Sequence, residues 1–183
     1  MQILTTPHPF LKHVAKPVKS WDKKTQKQVE QMIEILKKTT DPKGVGLAAT
    51  QVGLDKRLFI LLDDSSQKTK IFVNPKISLA SKKMLSSVYK KKKDRWLEGC
   101  LSIPKIWGFV DRHFSITLEY QTPSLELGAW NLKHCEEIYS DVFSAYVQHE
   151  IDHLDGILFT DRIREQNGQI LRETEDGLEP ISL

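Results

Sequence analysis

The run Gln148-His149-Glu150-Ile151-Asp152-His153-Leu154 constrains this chain more than any other stretch. Two histidines four residues apart on a helix lie on one face, because four residues turn about 400°, little more than one full turn. Both imidazoles can then meet one metal ion. Glu150, about 100° further round than His149, is badly placed for the metal's inner shell but well placed to reach a water bound there. That is the geometry of metal-assisted hydrolysis. The flanks say where such a helix sits. Val142, Ala145, Tyr146, His149 and His153 form one stripe, and Phe143, Val147, Ile151 and Leu154 a second. A helix apolar around most of its circumference is buried, here enclosed by sheet. It is expected from about Asp141 to Asp155, capped at its start by Ser140 or Asp141 and ended by a left-handed Gly156.

A chain of 183 residues, 39% hydrophobic and 28% charged, is long enough to bury a substantial core, and a single domain over 1–183 is expected. A net charge of +3 is too small to imply nucleic-acid binding without a localised patch, so no sequence-specific nucleic-acid partner is expected. Met1-Gln2-Ile3-Leu4-Thr5 lacks the charged and then apolar pattern of a leader. The longest apolar run, Leu58 to Leu62, is far too short to span a bilayer. These features predict a cytoplasmic protein without a membrane partner. Cys100 and Cys135 have no need to pair, since a core of this size needs no staple.

The chain opens with a segment carrying Pro7, Pro9 and Pro17, expected as a surface loop. Val29, Met32, Ile33 and Leu36 then recur at helical spacing in a lysine- and glutamine-rich background, predicting an amphipathic helix over about Asp22 to Lys38, stopped by Asp41-Pro42. From Lys56 to Lys133 the pattern is mostly strand. Leu58 to Leu62 and Ile71 to Val73 are short strands, the second ended by Asn74-Pro75. Phe114, Ile116, Leu118 and Tyr120 alternate with polar residues. Thr122-Pro123-Ser124 is expected to turn that strand into a second alternating run, Leu125 to Trp130, as an antiparallel hairpin. Ser78 to Arg95, with its lysine run Lys90 to Lys93, is expected as a solvated loop.

Two further segments carry chemistry. In Gly44-Val45-Gly46-Leu47-Ala48-Ala49-Thr50-Gln51, glycines on either side of Val45 let another backbone approach closely, as a peptide substrate does. Gln51 brings a side-chain amide donor suited to a developing oxyanion. In Leu97-Glu98-Gly99-Cys100-Leu101-Ser102, Cys100 is a candidate third ligand beside the two histidines, although taken alone it reads more readily as a buried small hydrophobe.

Three segments, Gly44 to Gln51, Glu98 to Ser102, and His149 to Gly156, resemble the signature segments of the peptide deformylases, in the same order. The resemblance implies an α+β fold, with antiparallel β-sheets packed around the central helix that carries the histidine motif. It implies removal of the formyl group from the N-terminal methionine of nascent peptides, with those peptides and the ribosome as partners. One divalent metal ion would be held by Cys100, His149 and His153. Ferrous iron would be native, and zinc, nickel or cobalt can take the same ligands. Hydroxide generated at the metal would attack the formyl carbon with Glu150 as general acid/base. Gln51 and the backbone amide of Leu101 would hold the oxyanion, and Val45 and Gly46 would bind the substrate backbone as an added strand. The chain departs from the family in reading Lys105-Ile106-Trp107 where many bacterial relatives carry an arginine, which puts a bulkier, uncharged Trp107 at the pocket rim. It also carries Tyr146 where a smaller residue is common, which narrows the methionine pocket.

Two other functions fit parts of the pattern. A metalloendopeptidase would draw its third ligand from downstream, where Asp155, Asp161 and Glu165 are available. A structural metal site would close a four-ligand shell with Cys135 or His134.

Overall fold

The computed structural model describes residues 1–40, 43–63, 68–91, 94–126 and 129–181. Asp41-Pro42, Leu127 and half of the lysine run therefore lie outside the described residues. The strand Leu58–Leu62 is buried at every position, which requires cover on both faces. Leu58, Ile60 and Leu62 pack with Val29, Met32 and Leu36 of the helix Lys23–Lys38 (α1). Phe59 and Leu61 pack with Val147, Ile151 and Leu154 of the helix Val142–Leu154 (α3).

That strand (β2) belongs to a five-stranded antiparallel sheet ordered β1-β2-β3-β6-β7. Its other members are Gly46–Ala48 (β1), Thr69–Ala80 (β3), Ser115–Glu126 (β6) and Ala129–Ser140 (β7). A second antiparallel sheet is made of Glu98–Cys100 (β4), Ile103–Gly108 (β5), Ile170–Thr174 (β8) and Gly177–Ile181 (β9). Cys100, Ile103 and Ile170 from this sheet share a core with Phe159 and Ile163 of the helix Phe159–Glu165 (α4). The fold is α+β, as expected. The histidine helix lies between the sheets: Val147 and Ile151 rest on the larger one, and His153 turns toward Cys100 at the end of β4.

Where the structure departs from expectation, backbone context overrides local signals. Asn74-Pro75 does not end its strand. Asn74 adopts φ 50 within β3, at a register shift opposite β6, and its side chain bonds both the N–H and C=O of Val18 at 2.8 Å. Asn is among the few residues that tolerate a positive φ. Nor does Thr122-Pro123-Ser124 turn the chain. Strand β6 runs on to Glu126, which pairs with Ala129. Its pairing with β3 reaches only Gln121, so Pro123 sits where one side of the strand carries no ladder. The expected loop from Ser78 starts as strand to Ala80 and contains a short helix, Leu85–Val88 (α2). At the head of α3 neither Ser140 nor Asp141 caps through its side chain; Asp141 accepts instead from the Tyr89 hydroxyl. Phe143, placed in the buried stripe by its spacing, is 60% exposed. Gly156 does end the helix, at φ 71.

Candidate metal centre and active site

α3 presents His149 and His153 one turn apart, with ring centroids 4.8 Å apart. β4 ends at Cys100, and its Sγ lies 3.2 Å from His153 Nε2. One ligand atom each from Cys100, His149 and His153 lie within 4.8 Å of one another, and all three residues are largely withdrawn from solvent. Soft sulfur with two imidazoles is a donor set for a late divalent ion. The two histidines titrate apart. Burial pushes both down, but the Cys100 sulfur and the Glu98 carboxylate overcome it at His149, which is held well above the usual imidazole range. His153 falls well below it, because burial and the neighbouring His149 charge act together.

Sequence spacing does not assign the groups that orient these ligands. Glu98 Oε2 lies 2.8 Å from His149 Nδ1, which directs that ring's Nε2 toward the cluster, as second partners of metal-binding histidines do. Arg112 donates to Glu98 through Nη2 at 2.9 Å and to Asp152 through Nη1 at 2.8 Å. Arg162 donates to the other Asp152 oxygen at 2.7 Å. Burial pushes the Glu98 carboxyl up, but the Arg112 charge outweighs it and holds the pKa at about 2. Glu98 lies within a recognised motif, so the rule that a ligating histidine wants a carboxylate partner points to it; Asp152 bonds the two arginines and no histidine. Arg112 has no local signal at all. Thr50 adds a bond from its hydroxyl to the His153 carbonyl at 2.9 Å.

Glu150 is buried, and its Oε2 meets no hydrogen-bond partner. Burial raises its pKa to about 7. Gly46 makes room for this carboxylate: a Cβ at that position would come within 2.3 Å of Glu150 Oε1 and displace the side chain. Gln51 is fixed by the Ala48 N–H, which donates to its Oε1 at 2.8 Å, and its Nε2 lies 3.5 Å from Cys100 Sγ and 3.1 Å from Ser102 Oγ. Leu101 follows Cys100 in the turn between β4 and β5. A cavity of about 160 Å³ opens between Val45, Gly46, Leu101, Trp107, Tyr146 and Glu150. Trp107 is held by its indole N–H, which donates to Glu173 Oε2 at 2.9 Å, and its ring lies against Gly99. Tyr146 stacks edge-on with Trp96, centroids 5.5 Å apart. The residues singled out from the sequence thus meet around one space. Those needed by the rival functions lie elsewhere. Asp155 pairs with Arg57 at 2.6 Å, Asp161 with Lys12, and Glu165 with Arg162. Cys135 and His134 stand on β7, outside the described ligand cluster.

Among the described residues no helix is long and apolar enough to cross a membrane. The sequence matches the model of the polypeptide deformylase family over residues 1–169. The peptide deformylase of Chlorobaculum parvum is 33% identical over 184 residues, covering 97% of this chain and 87% of that protein. That of Maricaulis maris is 33% identical over 163 residues, covering 87% and 83%. Among solved structures, peptide deformylase 1B of Arabidopsis thaliana in complex with an inhibitor matches with a TM-score of 0.73 at 31% identity, covering 91% of this chain and 83% of that one. A class I type b peptide deformylase from Acinetobacter baumannii, bound to Met-Ala-Ser, matches with a TM-score of 0.71 at 28% identity, covering 89% and 98%.

Proposed function

Since the chain belongs to the polypeptide deformylase family, enzymes that remove the formyl group from N-terminal methionine, we propose that it does so with one divalent ion held by Cys100, His149 and His153. The observation that carries this reading is the convergence of those three ligand atoms beside a buried Glu150 with a free oxygen. Ferrous iron as the native ion rests on the family resemblance; the donor set equally suits zinc, nickel and cobalt. A divalent ion on these ligands supplies the Lewis-acid charge that makes water nucleophilic near neutral pH.

The chain's own residues do the rest. Glu150, with a carboxyl pushed up to about 7 by burial, takes the water's proton and returns it to the leaving amine nitrogen, a transfer that needs a pKa near the working pH. Gln51 Nε2 and the Leu101 amide donate to the formyl oxygen as charge builds there, each well-placed donor contributing about 3–4 kcal/mol. β1 borders the larger sheet, so its outer edge receives the peptide as an added strand beside Val45 and Gly46. Trp107 and Tyr146 wall the side-chain pocket. The Met-Ala-Ser complex of the Acinetobacter baumannii relative supports a peptide of this kind as occupant. The substrate is then a formylated nascent chain, which makes the cytoplasm and the neighbourhood of the ribosome its place of work.

A formyl carbon bears only hydrogen on the side away from nitrogen, so it fits a closed cavity that an acyl chain does not. Formyl-Met-Ala-Ser should be hydrolysed at least about 10²-fold faster than acetyl-Met-Ala-Ser, roughly 2.7 kcal/mol in transition-state stabilisation. Equal rates, measured by amine release, would overturn the assignment.

A further inference from the structure

Strand β7 ends the order of the larger sheet, and its outer edge has no partner strand among the described residues. An unpaired edge of 12 residues is a ready template for another chain unless the sequence prevents it. Of the two border strands of the smaller sheet, β4 has only three residues, and β9 has five and carries Pro180, which blunts it. β7 has no proline. It carries Lys133, His134, Glu136 and Glu137, and charges on an edge usually serve to block pairing.

These charges do not block pairing of β7 with a second β7. In a continuous antiparallel sheet built about a two-fold axis, residues equally far on either side of the central position face each other. Centred on Cys135, the sequence Leu132-Lys133-His134-Cys135-Glu136-Glu137-Ile138 is complementary to itself. His134 meets Glu136 of the second copy and Leu132 meets Ile138, while Lys133 approaches Glu137, which already holds Lys70 and the Tyr120 and Tyr139 hydroxyls of its own chain. A centre at His134 sets Glu136 against Leu132, and a centre at Glu136 or Glu137 sets acid on acid. Among the registers centred on residues 134 to 137, the charges favour the one centred on Cys135.

Two features of the isolated chain point the same way. Glu136 stands directly across from Glu119 on β6; Lys76 of β3 flanks Glu119 on its far side, and a base on the open side of β7 does the same for Glu136. Ile138 is 76% exposed, the highest value among the large hydrophobic side chains left on the surface of the described residues, and the same pairing covers it with Leu132.

We propose that β7 is a homodimerisation edge, two copies pairing β7 to β7 about an axis beside Cys135 and joining their five-stranded sheets into one. The partner is a second copy of this chain because the charge pattern is complementary to itself. Light scattering across a concentration series should give a mass rising to that of two chains. A short bis-maleimide should link the copies through Cys135, and Cys135→Ser should abolish the link. His134→Glu and Glu136→Lys each remove attraction at both symmetric positions, and each should weaken self-association roughly tenfold. Mixed together, the two variants should associate again, because the carboxylate introduced in one then faces the ammonium introduced in the other. Both residues are exposed and far from the cavity, so circular dichroism and deformylase turnover should match the parent, which separates this test from that of the function. A mass of one chain at every concentration, linkage that survives Cys135→Ser, or variants that associate as the parent does would overturn the proposal.

Discussion

Glu150 combines burial, a raised pKa and an oxygen without a partner, three properties that a structural carboxylate does not keep together. Glu150→Gln preserves the shape and removes the proton acceptor. The variant should bind metal in full, as read by elemental analysis, and lose about 10²–10⁴-fold in turnover; activity within about tenfold of the parent would reject the role. At this scale the sequence is legible wherever one element or one tight loop fixes the geometry. His149, Glu150 and His153 follow from helical spacing, and Cys100 from its motif. Arg112 does not follow. It lies between strands, with no repeat or motif around it, yet it neutralises two buried carboxylates, Glu98 and Asp152, that come from different elements. Only the assembled fold creates the negative charge that calls for it.

Elements that carry their own periodicity form where the pattern puts them: α1 spans Lys23–Lys38 behind an Asp22 cap that accepts from Thr25 N at 2.7 Å. Breakers are where sequence and structure part. Asn74-Pro75 and Pro123 read locally as ends of strands, and each is carried inside a long strand at a point where one ladder is interrupted or absent. A breaker costs little where no bond is lost, and the sequence does not reveal which edge is free. Gly156 is a breaker of the other kind. It holds φ 71, and a Cβ there would stand 2.5 Å from the Lys12 carbonyl oxygen, so the end of α3 and the opening segment meet through it. Ala15 N donates to Leu154 O at 2.8 Å beside this contact. Gly156→Ala must strain the turn and displace backbone, and should cost about 1–3 kcal/mol in urea unfolding. Turnover per folded molecule should change much less, because the ligands lie on the preceding turns; a variant as stable as the parent would show that this contact does not hold the segments together.

At the scale of the molecule, the candidate centre is a joint. Cys100 belongs to the smaller sheet, while the two histidines belong to a helix whose other side is packed on the larger one. Each sheet has an apolar core of its own, built without the ligands from the histidine helix. The protein should therefore stay folded when the metal is removed, unlike small domains whose fold depends on their ion. What is lost is the cross-link between the sheets, and its size follows from mass action. Free metal at a hundred times its dissociation constant stabilises by about 2.7 kcal/mol, which for a chain of this length corresponds to about 5–10 °C in Tm. Chelation should lower the Tm by that amount with the far-ultraviolet spectrum retained, and restoring a divalent ion should reverse it. Cys100→Ala should melt near the metal-free value and gain little when metal is added, since it cuts the link on the side of the smaller sheet. Cys135→Ala should behave as the parent. If chelation left the Tm unchanged, or if the Cys100 variant were stabilised as strongly as the parent, the ion would not bridge the two sheets through Cys100.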